Sequence, residues 1–86
     1  MTQWELAFTP RAARVFAAMP SADRAALDGR LTRLAVGDRT GLDVKKLQGQ
    51  VGVWRLRSGD WRIGFTYQAA SRTLLISWIS QRKDAY

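Results

Sequence analysis

The chain has 86 residues, a length that allows one domain with a modest hydrophobic core, and a net charge of +7. It contains neither cysteine nor histidine, which excludes disulfides, thiolate chemistry, histidine-based metal sites and a ribonuclease mechanism that relies on two histidines. No apolar run approaches roughly 18 residues, and no basic region followed by an apolar one opens the chain, so we expect neither a membrane-spanning helix nor a signal peptide. We predict a single domain over residues 1–86.

The positive charge lies in the C-terminal half. Residues 1–44 hold six basic and five acidic side chains, whereas residues 45–86 hold eight basic and two acidic ones. Such a field favours nucleic acid, an acidic protein or an anionic membrane surface as a partner. Arginine pairs bidentately with phosphate and stacks on bases, so its clustering here favours nucleic acid. Neither predicted helix combines a basic face with a long apolar one, so we expect no membrane partner.

The first predicted elements are a strand and a helix. In the strand, apolar residues alternate with polar or small ones, as in a half-buried strand. These apolar residues are Trp4, Leu6 and Phe8. Thr9 and Pro10 then provide a helix N-cap and a proline at the first helical position. We predict a helix over residues 10–18, which Pro20 ends.

A second helix follows, with Ser21 as its expected cap, and extends to about Val36. Leucines at helical spacing form its core face, namely Leu27, Leu31 and Leu34. Gly29 lies in the middle of this helix, where glycine is unfavourable by about 1 kcal/mol relative to alanine. A close approach of the two helices at Gly29 would explain it.

Residues 53–67, VWRLRSGDWRIGFTY, predict two strands around a tight turn at Gly59 and Asp60, because glycine accepts the positive φ of such turns. The expected register places Leu56 opposite Ile63, Trp54 opposite Phe65, and Arg57 opposite Arg62. One face of this hairpin is then apolar and aromatic. The other face carries three arginines, Arg55, Arg57 and Arg62.

A final strand over residues 73–80 is apolar on both faces, which is typical of a central or well-covered strand. Counting by alternation puts Trp78 on one face with Leu74 and Ile76. We therefore expect Trp78, like Trp54 and Trp61 of the hairpin, to contribute to the core.

The element order β-α-α-β-β-β predicts an α+β fold. In it, an antiparallel four-stranded sheet carries a two-helix hairpin packed on one face. The helices would cover the aromatic face of the strand hairpin, which leaves its arginine face open to solvent or to a ligand.

Three segments carry a resemblance to a known family: Lys45–Gly49, Trp54–Ile63 and Ile79–Tyr86. With the element order, they resemble the RelE branch of the RelE/ParE toxin superfamily over nearly the whole chain. The resemblance implies a fold similar to small microbial ribonucleases and the role of toxin in a bacterial type II toxin–antitoxin pair. It also implies a cytoplasmic endoribonuclease that cleaves mRNA in the ribosomal A site and inhibits translation, with neither a metal nor another cofactor. The implied partners are a cognate antitoxin, mRNA and ribosomal RNA.

Carried over residue by residue, the resemblance implies catalytic residues and a second set that binds RNA or phosphate. The catalytic set is Arg57, Arg62, Arg82 and Tyr86. The binding set is Lys45, Lys46, Arg55 and Lys83. Some family members have lysines where Arg55 and Arg57 stand and an arginine where Ser80 stands. Arginine has a pKa above about 12 and is no ordinary general base.

Several alternatives remain open from the sequence. Lys45, Lys46, Tyr86, Asp60 and Asp84 are all candidates for proton transfer. Arg57 and Arg62 could instead form ordinary surface ion pairs with Asp60, which contribute little to stability. At the level of the whole protein, a ParE-like inhibitor of DNA gyrase and a non-catalytic RNA-binding relic of a toxin are the competing functions.

Overall fold

The structure is a computed structural model that describes residues 3–49 and 51–81. Its elements in chain order are β1 (Glu5–Phe8), α1 (Pro10–Ala18), α2 (Ser21–Ala35), β2 (Asp43–Lys46), β3 (Trp54–Ser58), β4 (Trp61–Gln68), a 3₁₀ turn (Ala69–Ser71) and β5 (Thr73–Gln81). Among the helices of this described part, none is long and apolar enough to span a bilayer.

The strands form one five-stranded sheet in the order β1-β5-β4-β3-β2. Strand β1 runs parallel to β5, and the other neighbours are antiparallel. The α+β class and the element types are therefore confirmed, but the four-stranded, fully antiparallel sheet is wrong. The sequence DVKK of β2 has one apolar residue and hence no alternation to reveal it. Alternation in β1 shows which side chains share a face, but not the direction of the strand beside it.

The helices pack on one face of the sheet, as predicted. The core joins the leucine face of α2 to Leu56, Ile63 and Phe65 of the hairpin and to Leu74 and Ile76 of β5, all fully buried. The hairpin register is confirmed, including the opposition of Arg57 and Arg62.

The N-termini of the two helices are capped differently. The predicted N-cap of α1 is confirmed, because the Thr9 hydroxyl accepts a hydrogen bond from the Ala12 N–H at 3.2 Å. The predicted cap of α2 is wrong, since Pro20 occupies the cap position and Ser21 is already helical. The expected close approach at Gly29 is also wrong: Gly29 is exposed, and a Cβ there would meet open space.

A β-bulge interrupts the pairing of β4 with β5. Phe65 pairs with Ile76 and Gly64 pairs with Trp78, so Ser77 is the extra residue. Beyond the bulge the alternation of β5 is inverted, and Trp78 lies on the sheet face opposite to the helices. The prediction that Trp78 shares the core face with Ile76 is therefore wrong, because simple alternation assumes an uninterrupted ladder.

Thr9 connects α1 to this bulge. Its hydroxyl donates to the Ser77 carbonyl at 2.9 Å while accepting from the Ala12 N–H of the helix.

We expect Thr9→Ala to lower the free energy of unfolding by about 1–2 kcal/mol, because one cap and one long-range hydrogen bond are lost. Thr9→Ser keeps the hydroxyl and should retain most of the stability. Urea denaturation followed by tryptophan fluorescence measures both, and equal midpoints for Thr9→Ala and the wild type would contradict the assignment.

Candidate nucleic-acid interface

The sheet face opposite to the helices carries the candidate interface. Directly paired residues of neighbouring strands share a face, so the register assigns rows of side chains to it, two of which hold the predicted cations. The first row is Lys45, Arg55, Gly64 and Trp78, and the second is Asp43, Arg57, Arg62 and Ser80. We call the surface formed by these eight residues the arginine face.

Four cations lie on the arginine face: Lys45 on β2, Arg55 and Arg57 on β3, and Arg62 on β4. Asp43 is the carboxylate among them. Arg55 Nη2 lies 3.2 Å from Asp43 Oδ1, with 14% of the arginine side chain and 48% of the aspartate side chain exposed. Asp43 offsets one charge, and the face keeps a net positive charge.

The three arginines differ in their surroundings. Arg57 is exposed, and its Nε makes a long contact of 3.5 Å with the Gly59 carbonyl. Arg62 is half-buried, and its Nη1 atom is fully removed from solvent. Arg55 is held by Asp43. Arg57 is thus the arginine of this face most accessible to a ligand, with Arg62 directly opposite it on the neighbouring strand.

The Trp78 indole lies close to the backbone of β4 at Gly64. A Cβ placed on Gly64 would collide with the pyrrole side of the Trp78 indole, at Cδ1, Nε1 and Cε2. The absence of a side chain at Gly64 therefore creates the space that the indole occupies. The bulge at Ser77 sends the side chain to this face, and Gly64 lets it rest there.

The predicted site residues are not all brought together. Lys45 pairs with Arg55 on the arginine face, whereas Lys46 pairs with Trp54 and belongs to the opposite face at the edge of the sheet. A β-strand sends adjacent residues to opposite faces, so the two lysines cannot act on the same group. Three other predicted residues, Arg82, Lys83 and Tyr86, lie outside the described residues, as does the proton-transfer candidate Asp84.

The carboxylate predicted to compete for the arginines was Asp60. It is exposed at the turn between β3 and β4. Within the described part of the chain, Asp43 forms an ion pair with Arg55, and it belongs to the strand that sequence reasoning missed. Sequence reasoning also assigned Trp78 to the core, whereas Trp78 lies on the arginine face.

Two further clusters lie on the helix side. Arg39 sits over the Trp54 ring at 4.6 Å and the Tyr67 ring at 5.5 Å, in a cation–π arrangement. A second cluster lines a cleft of about 350 Å³ between α2 and the β3–β4 turn, where Arg30 donates to the buried Ser58 hydroxyl at 2.8 Å. Both clusters hold helices and loops to the sheet.

Chemically, the arginine face can bind phosphate groups and stabilise negative charge that develops on them. Arg57 and Arg62 are a directly opposed pair on neighbouring strands of this face. Within residues 3–49 and 51–81, no group of three or more aspartate, glutamate, histidine or cysteine side chains is placed to hold a metal ion.

The fold is that of known solved structures. An archaeal RelE–RelB complex from Pyrococcus horikoshii matches with a TM-score of 0.74 at 22% identity, covering 99% of this chain and 100% of that one. The RelBE2 toxin–antitoxin complex from Mycobacterium tuberculosis matches with a TM-score of 0.76 at 21% identity, covering 98% and 97%. The isolated E. coli RelE toxin gives 0.75 at 20% identity, covering 91% and 83%.

The chain therefore has the fold of the RelE toxins, and the resemblance first indicated by its motifs is confirmed for the fold. Comparison with protein-family models and with curated proteins gave no match. The roles of the predicted site residues remain predictions.

We expect Gly64→Ala to lower the free energy of unfolding by about 1–3 kcal/mol, because the new methyl group would displace the Trp78 indole. In a Trp78→Ala background the same substitution should cost nothing, since the space is then vacant. A double-mutant cycle by urea denaturation measures this coupling. Equal costs in both backgrounds would show that the indole does not rest on Gly64.

Proposed function

We propose that this protein is the toxin of a type II toxin–antitoxin pair and acts as a metal-free endoribonuclease on mRNA in the ribosomal A site. The observation that carries the proposal is the arginine face, a cationic surface on a fold shared with RelE toxins. Its target places the protein in the cytoplasm. The proposal takes the chain as one toxin domain over residues 1–86.

The proposed reaction uses the 2′-hydroxyl of the RNA as its nucleophile. The 2′-oxygen attacks the adjacent phosphorus, the bond from phosphorus to the 5′-oxygen breaks, and the products are a 2′,3′-cyclic phosphate and a free 5′-hydroxyl. One proton leaves the 2′-hydroxyl and another reaches the departing 5′-oxygen. The enzyme must align the attacking oxygen and stabilise the charge that builds on the phosphate.

Arg57 and Arg62 are proposed to perform the electrostatic part of this reaction. They are directly opposed on neighbouring strands, with Cα atoms about 5 Å apart in such pairs, and we propose that both contact one phosphate. Arg55 and Lys45 extend the charge along the neighbouring row and hold the flanking phosphates. Arg82 and Tyr86 complete the proposed catalytic set, and Lys83 the phosphate contacts.

Proton transfer is the part of the reaction that the arginines cannot perform. Arginine stays protonated at any physiological pH, so Arg55 and Arg57 supply charge and not a base. Lys45 is the lysine on the arginine face, whereas Lys46 is on the other side of the sheet. We therefore retain Lys45, Asp60, Asp84 and Tyr86 as candidates, and propose that the ribosome helps to position the reacting RNA.

An antitoxin is the proposed protein partner. The matching structures from Pyrococcus horikoshii and Mycobacterium tuberculosis are complexes of a toxin with its antitoxin. A positively charged sheet face favours an antitoxin segment with acidic side chains, because opposite charges accelerate encounter and exclude wrong partners.

The decisive experiment incubates the purified protein with mRNA, with and without translating ribosomes, and maps the new RNA ends. Cleavage on ribosomes with 5′-hydroxyl ends is expected. Absence of cleavage in both conditions, from folded protein, would contradict the nuclease. DNA breaks that depend on gyrase would then indicate the ParE-like function, and RNA binding without cleavage would indicate a relic.

We expect the double substitution Arg57→Ala, Arg62→Ala to reduce the rate of ribosome-dependent cleavage by about 10³-fold or more, because each removed charge stabilises the transition state. Growth inhibition on expression should be lost in parallel. The matched control is Arg11→Ala, Arg14→Ala, which removes two exposed arginines from α1 on the other side of the sheet. A toxic Arg57/Arg62 variant, or loss of activity in the control, would contradict the assignment.

A further inference from the structure

We propose that Trp78 is a stacking surface for one base of a single-stranded RNA bound along the arginine face. The inference rests on the proposed function and identifies a contact that the predicted site residues do not include. It names the ligand as RNA with an unpaired base beside a phosphate held by the arginines.

Two independent features of the chain place this indole. The bulge at Ser77 turns Trp78 away from the core and onto the arginine face. Gly64 has no side chain, so the indole can approach the backbone where a Cβ would collide with it. Glycine weakens the interior of a strand and marks a close approach. Here the indole lies against Gly64 and is half-buried.

The other tryptophans of the chain have different surroundings. Trp4 packs against Tyr67 with ring centroids 4.9 Å apart, and Trp54 lies under Arg39. Trp61 donates its indole N–H to Asp23 at 3.0 Å. All three pack against the core on the helix side, and Trp78 alone among the four lies on the arginine face.

Cations lie near Trp78 on the arginine face, and a nucleotide offers a flat base next to a negative phosphate. Trp78 is in the same row as Arg55 and Lys45, two and three strands away, or about 10 Å and 14 Å at the usual strand separation. Arg62 lies on the adjacent strand in the next row. A base on the indole therefore has a phosphate-binding group on its near side and others further along the sheet.

Charge complementarity and a flat aromatic surface together favour RNA over an acidic peptide. An acidic segment would use the cations but gains little from a planar ring, whereas every base presents a π-face for stacking. The arrangement is the one used for single strands, in which a positively charged surface follows the backbone and an aromatic ring holds a base.

The test measures binding of a fluorescein-labelled single-stranded RNA of about ten nucleotides to the full chain by fluorescence anisotropy. Trp78→Leu should weaken binding by about tenfold, and Trp78→Phe, which keeps a ring, by about threefold or less. Trp61→Phe is the matched control on the helix face and should bind as the wild type does. Wild-type affinity in Trp78→Leu would overturn the inference.

The salt dependence separates stacking from charge. Trp78→Leu should leave the slope of log affinity against log salt unchanged, whereas Arg57→Ala should reduce it by about 0.7, the value for one phosphate contact in a single strand. A reduced slope in Trp78→Leu would show that the substitution disturbs the arginines and would overturn the stacking assignment.

A measurement on the unmodified protein covers the case in which Trp78→Leu fails to fold. RNA containing 5-bromouridine is irradiated in complex with the wild-type chain, and the crosslinked peptide is identified by mass spectrometry. A crosslink at Trp78 is expected. Crosslinks confined to Trp4, Trp54 or Trp61 would overturn the inference. In the anisotropy assay, weaker binding of an oligoglutamate probe to Trp78→Leu, with RNA binding unchanged, would overturn it as well.

The same variants in the ribosome cleavage assay separate this inference from the proposed function. If the wild type cleaves RNA and Trp78→Leu binds and cleaves RNA equally well, the stacking surface alone is overturned. Absence of cleavage by the wild type, with tenfold weaker RNA binding in Trp78→Leu, would overturn the nuclease and support the stacking surface.

Discussion

The bulge at Ser77 is the local constraint on which both faces of the sheet depend. One extra residue in β5 lets Ile76 and Ile79 both point into the core, although they are three positions apart. Its carbonyl accepts the hydrogen bond from Thr9 that holds the start of α1 against the sheet. The same residue sends Trp78 to the outer face. A single irregularity therefore fixes the helix, completes the core and shapes the candidate interface.

Local signals predicted most of the fold because they act over a few residues. The Gly59 turn determined the hairpin register, and with it the opposed pair of Arg57 and Arg62. The threonine–proline pair determined the start of α1. The fifth strand and the direction of β1 could not be predicted in the same way. Four residues with one apolar side chain carry no period, and strand direction depends on distant partners.

The candidate site was predictable in its charges but not in its shape. Alternation on two strands is enough to place three arginines on one face, since the other face must be buried. It could not separate Lys45 from Lys46, because that separation requires β2 to be recognised as a strand. It also assigned Trp78 to the core, since a bulge leaves no mark in hydrophobic periodicity. The pairing of Gly64 with Trp78 is a long-range fact that only the sheet reveals.

In the proposed RNA cleavage, the arginines of the arginine face can stabilise charge but cannot accept a proton. Guanidinium groups hold phosphate bidentately and stay charged, so they favour the charge that accumulates in the transition state. Because guanidinium groups stay protonated, they cannot accept the proton of the 2′-hydroxyl. Asp43 lies directly opposite Arg57 but forms its ion pair diagonally with Arg55, and Arg57 stays exposed. In the proposed reaction the arginines supply charge stabilisation, and alignment of the RNA has to come from elsewhere. We propose that a ribosome presenting mRNA in one fixed conformation supplies that alignment to a sheet with three arginines.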